Sequence, residues 1–185
     1  MKKIIWKAYM DYEKEEAWLN KLSAQGLAFT NYFFFRYTFA DCRPGEYVYR
    51  IELLQNSVEH AESKKYISFM AENGVEHIAS WIRWVYFRKK AENGSFDIYS
   101  DIDSRLAHYR RIGALWWPLI CLDLLLGISQ FISGMNYELH GTNIGAFPFL
   151  FNGILLLCLG VIFFIQLIAL RKKIKKLQVE KALRE

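Results

Sequence analysis

The chain has 185 residues, 53% of them hydrophobic, which is enough for one modest core and something more. Residues 1–111 carry 17 Lys and Arg against 15 Asp and Glu, and residues 171–185 carry 7 against 2, so the basic excess belongs to the tail and argues against a nucleic-acid surface. Three cysteines, Cys42, Cys121 and Cys158, fall in three different segments and exclude a disulfide framework or a CxxC metal site.

The N-terminus does not read as a signal peptide, because only Ile4, Ile5 and Trp6 separate Lys2 and Lys3 from Lys7. Lys3 to Tyr9 reads as an opening strand. Asp11 stands where an N-cap belongs, Glu13, Glu15 and Glu16 complement the helix dipole, and Gly26 ends the helix. LAFTNYFFFRYTF (Leu27 to Phe39) is rich in strand-favouring aromatics and is predicted as one strand. A turn at Asp41-Cys42-Arg43-Pro44-Gly45 precedes EYVYRIEL, in which Tyr47, Tyr49, Ile51 and Leu53 alternate with Glu46, Val48, Arg50 and Glu52. A second helix, about Val58 to Asn73, ends at Gly74. EHIASWIRWVYFRKK then reads as a strand, Glu92-Asn93-Gly94 as a hairpin turn and SFDIYS as a last strand.

Trp18, Leu19, Leu22, Gly26 and Leu27 recur with the same spacing as Tyr66, Ile67, Met70, Gly74 and Val75. The soluble part is therefore predicted to be an internal repeat, about 11–54 and 59–101. Its order, β-α-β-β-α-β-β, is that of a duplicated ferredoxin-like sandwich, an α+β fold with two helices on one face of an antiparallel sheet.

Two apolar runs follow. Positions 112–134 contain only Asp123 as a charged group and positions 143–170 contain none. A bilayer core takes about 20 helical residues, and both runs exceed that length. The predicted organisation is a domain over 1–100, a linker helix at 101–111, a first span, an external loop at 135–142, a second span and a basic tail at 171–185. Arg105, Arg110 and Arg111 precede the first span, and Arg171, Lys172, Lys173, Lys175 and Lys176 follow the second, where they would meet lipid headgroups. The loop has no Lys or Arg, so both termini are expected on the cytoplasmic side of a plasma membrane.

Residues 1–111 hold 22 Phe, Tyr and Trp. Helices on one face would leave the other face bare, carrying either Tyr32, Phe34 and Arg36 or Phe33, Phe35 and Tyr37. Such a face marks an interface with a second copy or a partner protein, or a groove for an apolar molecule. Asp123, near mid-membrane, costs on the order of 2.5 to 3.5 kcal/mol and by default marks a partner or pathway. Counting depth in the hairpin places it level with Gly160 and Cys158, neither of which neutralises it, so contact with another chain is expected. Gln130 is level with Asn152, and the two would hydrogen-bond. Gly153 and Gly160 permit close helix packing at a spacing of seven.

Catalytic patterns are sparse: His60, His77, His108 and His140 are scattered, no phosphate-binding loop occurs, and neither a metal nor a cofactor is expected. Cys42 lies beside Asp41 and Arg43, a setting that would lower its pKa. An enzyme acting on a lipid or apolar amphiphile would need convergent polar groups such as Glu52 or His77 with Arg50.

With DYEKEEAWLNKLSAQG and YTFADCRPGEYVYRIELL placed, the chain resembles a family of uncharacterised two-span bacterial membrane proteins, DUF2812, over essentially its whole length. The resemblance implies no catalytic residues. It implies a setting beside a PadR-like regulator, hence a membrane component of a regulated envelope or drug response. The function expected is a membrane-anchored sensory or regulatory interaction module, with a membrane-surface enzyme and a transporter accessory subunit as alternatives.

Overall fold

A computed structural model describes residues 2–99, 101–140 and 146–184, residue 184 by its backbone alone. Two units are compact in themselves, residues 1–101 and 102–185. In the first, the elements run β1 (Lys3–Trp6), α1 (Tyr12–Ala24), β2 (Leu27–Phe33), β3 (Arg36–Asp41), β4 (Tyr47–Leu53), α2 (Ala61–Glu72), β5 (Val75–Trp81) and β6 (Trp84–Lys90), closing with a single 3-10 turn at Ala91–Asn93. The strands form two antiparallel sheets, ordered β1-β3-β2 and β4-β6-β5. Each half is thus a βαββ unit with the same strand order. A register bulge lies between Phe29 and Asn31 in β2, and another between His77 and Ala79 at the equivalent place in β5.

The α+β class stands as expected, while the strands sort differently. Each long aromatic run is a hairpin, turning at Phe34-Phe35 and at Ile82-Arg83, so three strands separate the helices instead of two. The last expected strand, SFDIYS, does not form among its described residues. The edge of β4 is already occupied by α1, and Phe96 packs into the core as irregular chain. Nor do both helices share one face. Val85 and Phe87 join α2 Met70 in one cluster, while the intervening Tyr86 points to the other face of β6 and joins α1 Leu19 and Leu22 in the main core. Strand alternation explains this: an unbroken apolar run, Val85-Tyr86-Phe87, is a strand buried on both sides.

Helix ends behave as their residues dictate. Asp11 accepts from the Glu13 N–H at 3.1 Å, and His60 caps α2 by accepting from the Glu62 N–H at 3.3 Å. Gly26 and Gly74 take φ of 85° and 75°, where a Cβ would be strained, and at Gly26 it would also meet the Cys42 carbonyl oxygen at 3.1 Å.

The second unit is two long helices, α3 (Ile102–His140) and α4 (Phe147–Arg184), whose most apolar stretches have mean hydropathy 1.8 and 2.8. Both are long and apolar enough to cross a membrane. α3 continues through 135–140, where an external loop was expected, because Met-Asn-Tyr-Glu-Leu-His contains no breaker; positions 141–145 lie outside the described residues. The basic tail likewise continues α4 as helix, and Lys181 pairs with Asp103 at 2.8 Å.

The helices pack along a ladder with a heptad period. Gly113, Ile120, Gly127 and Gly134 on α3 face, in that order, Leu167, Gly160, Gly153 and Ala146 on the α4 side, the period of a left-handed antiparallel pair. A Cβ on Gly153 would lie 2.8 Å from the Phe131 backbone nitrogen, so side chains of zero size set the approach.

Candidate interaction surfaces

α1 uses one polar stripe for structure. Glu16, Asn20 and Ser23 lie on one face at helical spacing, against the free edge of β4. The Tyr49 N–H donates to Asn20 Oδ1 (2.8 Å), Asn20 Nδ2 donates to the Tyr49 carbonyl (3.0 Å), Ser23 Oγ donates to the Tyr47 carbonyl (2.6 Å), and the Ile51 N–H donates to Glu16 Oε2 (3.0 Å). The stripe imitates a neighbouring strand and blunts an exposed edge. Glu15, next to the stripe, is buried and accepts from the hydroxyls of Tyr37 (2.6 Å) and Tyr86 (2.7 Å), one from each sheet. Burial raises its pKa, against the pull of those two bonds. Sequence reading missed this group, since an acid in a first helical turn looks like dipole chemistry. Its neighbours Tyr37 and Tyr86 became readable as partners only once the sheets were assembled.

The aromatic residues singled out from sequence divide at the β2-β3 turn. Tyr37 is buried, and Tyr32 packs between Tyr37 and Tyr86 with centroids 4.8 and 5.2 Å away, its hydroxyl accepting from the Phe35 N–H at 3.3 Å. Phe33, Phe34 and Phe35 are 58%, 55% and 41% exposed. Arg36 is half-buried and pairs in register with exposed Trp6 on one side and Phe33 on the other, so the three form one outward row across the sheet. Neither alternating set of three forms a face, because the two-residue turn interrupts the alternation.

The second hairpin joins this surface. Trp81 stands 5.5 Å from Phe33 and 5.9 Å from Phe34, and Ile82 beside it is 74% exposed. Phe34, Phe35 and Ile82 take φ of 40°, 64° and 59°. Bulky side chains are rare there; two-residue hairpins ordinarily use Asn or Gly. Both turns therefore place large apolar residues at positions where folding disfavours them.

The remaining candidates have separate partners. Glu52 accepts from the Tyr66 hydroxyl (2.8 Å), Arg50 pairs with Glu16 (3.3 Å), and His77 packs on Phe87 (6.0 Å) with its pKa lowered chiefly by burial. The Cys42 thiol is pushed up by burial and by Glu46, the reverse of what its Arg43 neighbour led us to expect. His108 is fully buried in the opening turns of α3, its ring 6.3 Å from that of Tyr109.

In the helical pair, Asp123 stands opposite Gly160, whose added Cβ would lie 3.6 Å from the Asp123 Cβ. Among the described residues no hydrogen bond or ion pair engages its carboxylate. Likewise no hydrogen bond joins Gln130 to Asn152; Asn152 is exposed, and the contact at that level is Gly153 against Gly127 and Phe131. The Arg171 guanidinium lies over the Trp117 ring at 5.5 Å, while Lys172, Lys175 and Lys176 are exposed and Lys173 is half-buried.

A folded α+β unit followed by a pair of spanning-length apolar helices defines a membrane-anchored protein. Residues 11–121 match the model of a family described as a protein of unknown function, DUF2812, and the chain belongs to that family. The matched region runs from the cap of α1 into the first apolar helix. No curated protein and no solved structure matches the chain.

Proposed function

We propose that the chain is a sensory or regulatory interaction module of a bacterial plasma membrane, with the α+β unit and both termini on the cytoplasmic side and no catalytic role. The observation that carries this reading is the apolar surface at the two hairpin tips, built from residues that strain their own turns. Strain of this kind persists where the side chain serves something other than folding. The basic flanks of the helices support the orientation. The shared strand order and bulge position support two copies of one βαββ unit, whose paired tips form a single surface.

Asp123 would be the contact in the membrane, meeting a second copy or another membrane protein, since the hairpin itself offers its carboxylate nothing. Light scattering of the full-length protein in mild detergent tests this. A complex larger than the 21.9 kDa chain is expected, and Asp123→Asn should reduce it at least tenfold in apparent affinity. A single chain with no copurifying partner, before and after the substitution, would refute the membrane contact.

A further inference from the structure

The tip surface has a chemistry more specific than hydrophobicity. Arg36 lies between Trp6 and Phe33 in the outward row, and its Nε is covered by neighbouring atoms yet has no hydrogen-bond partner. No other described residue forms an ion pair with it. A guanidinium has five N–H donors in a planar fork that fits a phosphate. Here it is held at the level of exposed aromatic rings, so its anion must lie in a layer bounded by an apolar region. Lys7, one residue beyond Trp6, is exposed with its ammonium 4.9 Å from the Tyr9 ring and 5.0 Å from the Trp18 ring, while Lys3 pairs with Phe39 at the other end of the strand; the acid next along the chain, Asp11, is occupied in capping α1.

Shape and attachment narrow the occupant further. The apolar residues sit at the ends of two hairpins, so they project and do not enclose a groove. Projecting Trp and Phe beside cations suit the boundary between headgroups and acyl chains. The unit is also tied to two helices of spanning length, so a bilayer is always within reach at high effective concentration, and weak docking suffices.

We propose that the hairpin tips dock on the surface of an anionic bilayer, with Trp6, Phe33, Phe34, Phe35 and Ile82 entering the headgroup layer and Arg36 binding a lipid phosphate. This rests on the reading that the tips are the contact surface, and it names their ligand. Docking and release would couple the α+β unit to the charge of the leaflet.

The test uses the full-length protein in nanodiscs of phosphatidylcholine, with or without phosphatidylglycerol, carrying a photoreactive p-benzoylphenylalanine at position 34, 82 or 92. Glu92 is exposed at the far end of β6 and serves as the control site. Intact mass should show lipid adducts from positions 34 and 82, at least threefold more with phosphatidylglycerol, and none from 92. Arg36→Gln should abolish the dependence on phosphatidylglycerol while keeping the unfolding midpoint. Adducts to a second copy of the chain would overturn the lipid assignment and leave the contact surface standing. Absence of any adduct at 34 and 82 would overturn the lipid assignment, and the contact surface itself then stands or falls on capture from native membranes.

Discussion

Replacing Phe34-Phe35 by Asn-Gly is expected to stabilise the protein and weaken its function at the same time. Both residues have positive φ in a two-residue hairpin, the arrangement of a type I′ turn, for which Asn-Gly is the preferred pair. Relief of left-handed strain is worth about 1 kcal/mol per residue. Against it stand the ring contacts of Phe34 with Phe35 (4.8 Å) and Trp81 (5.9 Å), both at an exposed surface and worth about 0.5 kcal/mol each. The bond from the residue-35 N–H to the Tyr32 hydroxyl uses backbone and survives. The net gain is about 1 kcal/mol, read as a rise of roughly 4 to 8 °C in the unfolding midpoint of the α+β unit within the full-length protein. Whatever contacts the tip should meanwhile be lost. A variant that is stabilised and keeps its contacts would show that the phenylalanines are not the binding residues.

Asn20→Leu should have the opposite character, a large loss of stability with no change at the tip. Asn20 bonds both the N–H and the carbonyl of Tyr49 on the free edge of β4; leucine leaves the N–H unpaired beneath α1, while the carbonyl keeps its bond from the Arg50 guanidinium at 3.0 Å. A buried orphan costs about 1 to 3 kcal/mol, so a loss of about that size is expected, a large part of the roughly 5 to 15 kcal/mol typical of a domain. The bared edge should also promote aggregation on heating. Denaturant unfolding of the full-length protein in detergent measures the first effect; a loss below about 0.5 kcal/mol would mean that water replaces the amide and that the stripe is ordinary helix surface.

These substitutions fall where sequence and structure part company. The spanning-length helices were legible because length and apolarity suffice, and Asp11, Gly26 and Gly74 were legible because caps have local chemistry. The recurrence of packing residues around Gly26 and Gly74 was legible for the same reason. The hairpins were not. Phe34-Phe35 and Ile82-Arg83 carry none of the Gly, Asn or Pro that announce a turn. The only hint was length, since Leu27 to Phe39 and Glu76 to Lys90 each run well beyond an ordinary strand. That the turn chemistry is missing is also what marks the tips as a candidate site. The acidic first turn of α1 was ambiguous for another reason. Glu15 and Glu16 sit at helix-dipole positions, and only assembly of both sheets around α1 shows one carboxylate buried between two tyrosines and the other capping a strand edge.

Site-by-site photocrosslinking of the full-length protein in native membranes tests the central claim most directly, comparing positions 34 and 82 at the tips with position 92 at the far end. Capture, of lipid or of protein, is expected from 34 and 82 and none from 92. Capture from 92 alone, or from no site, would contradict it.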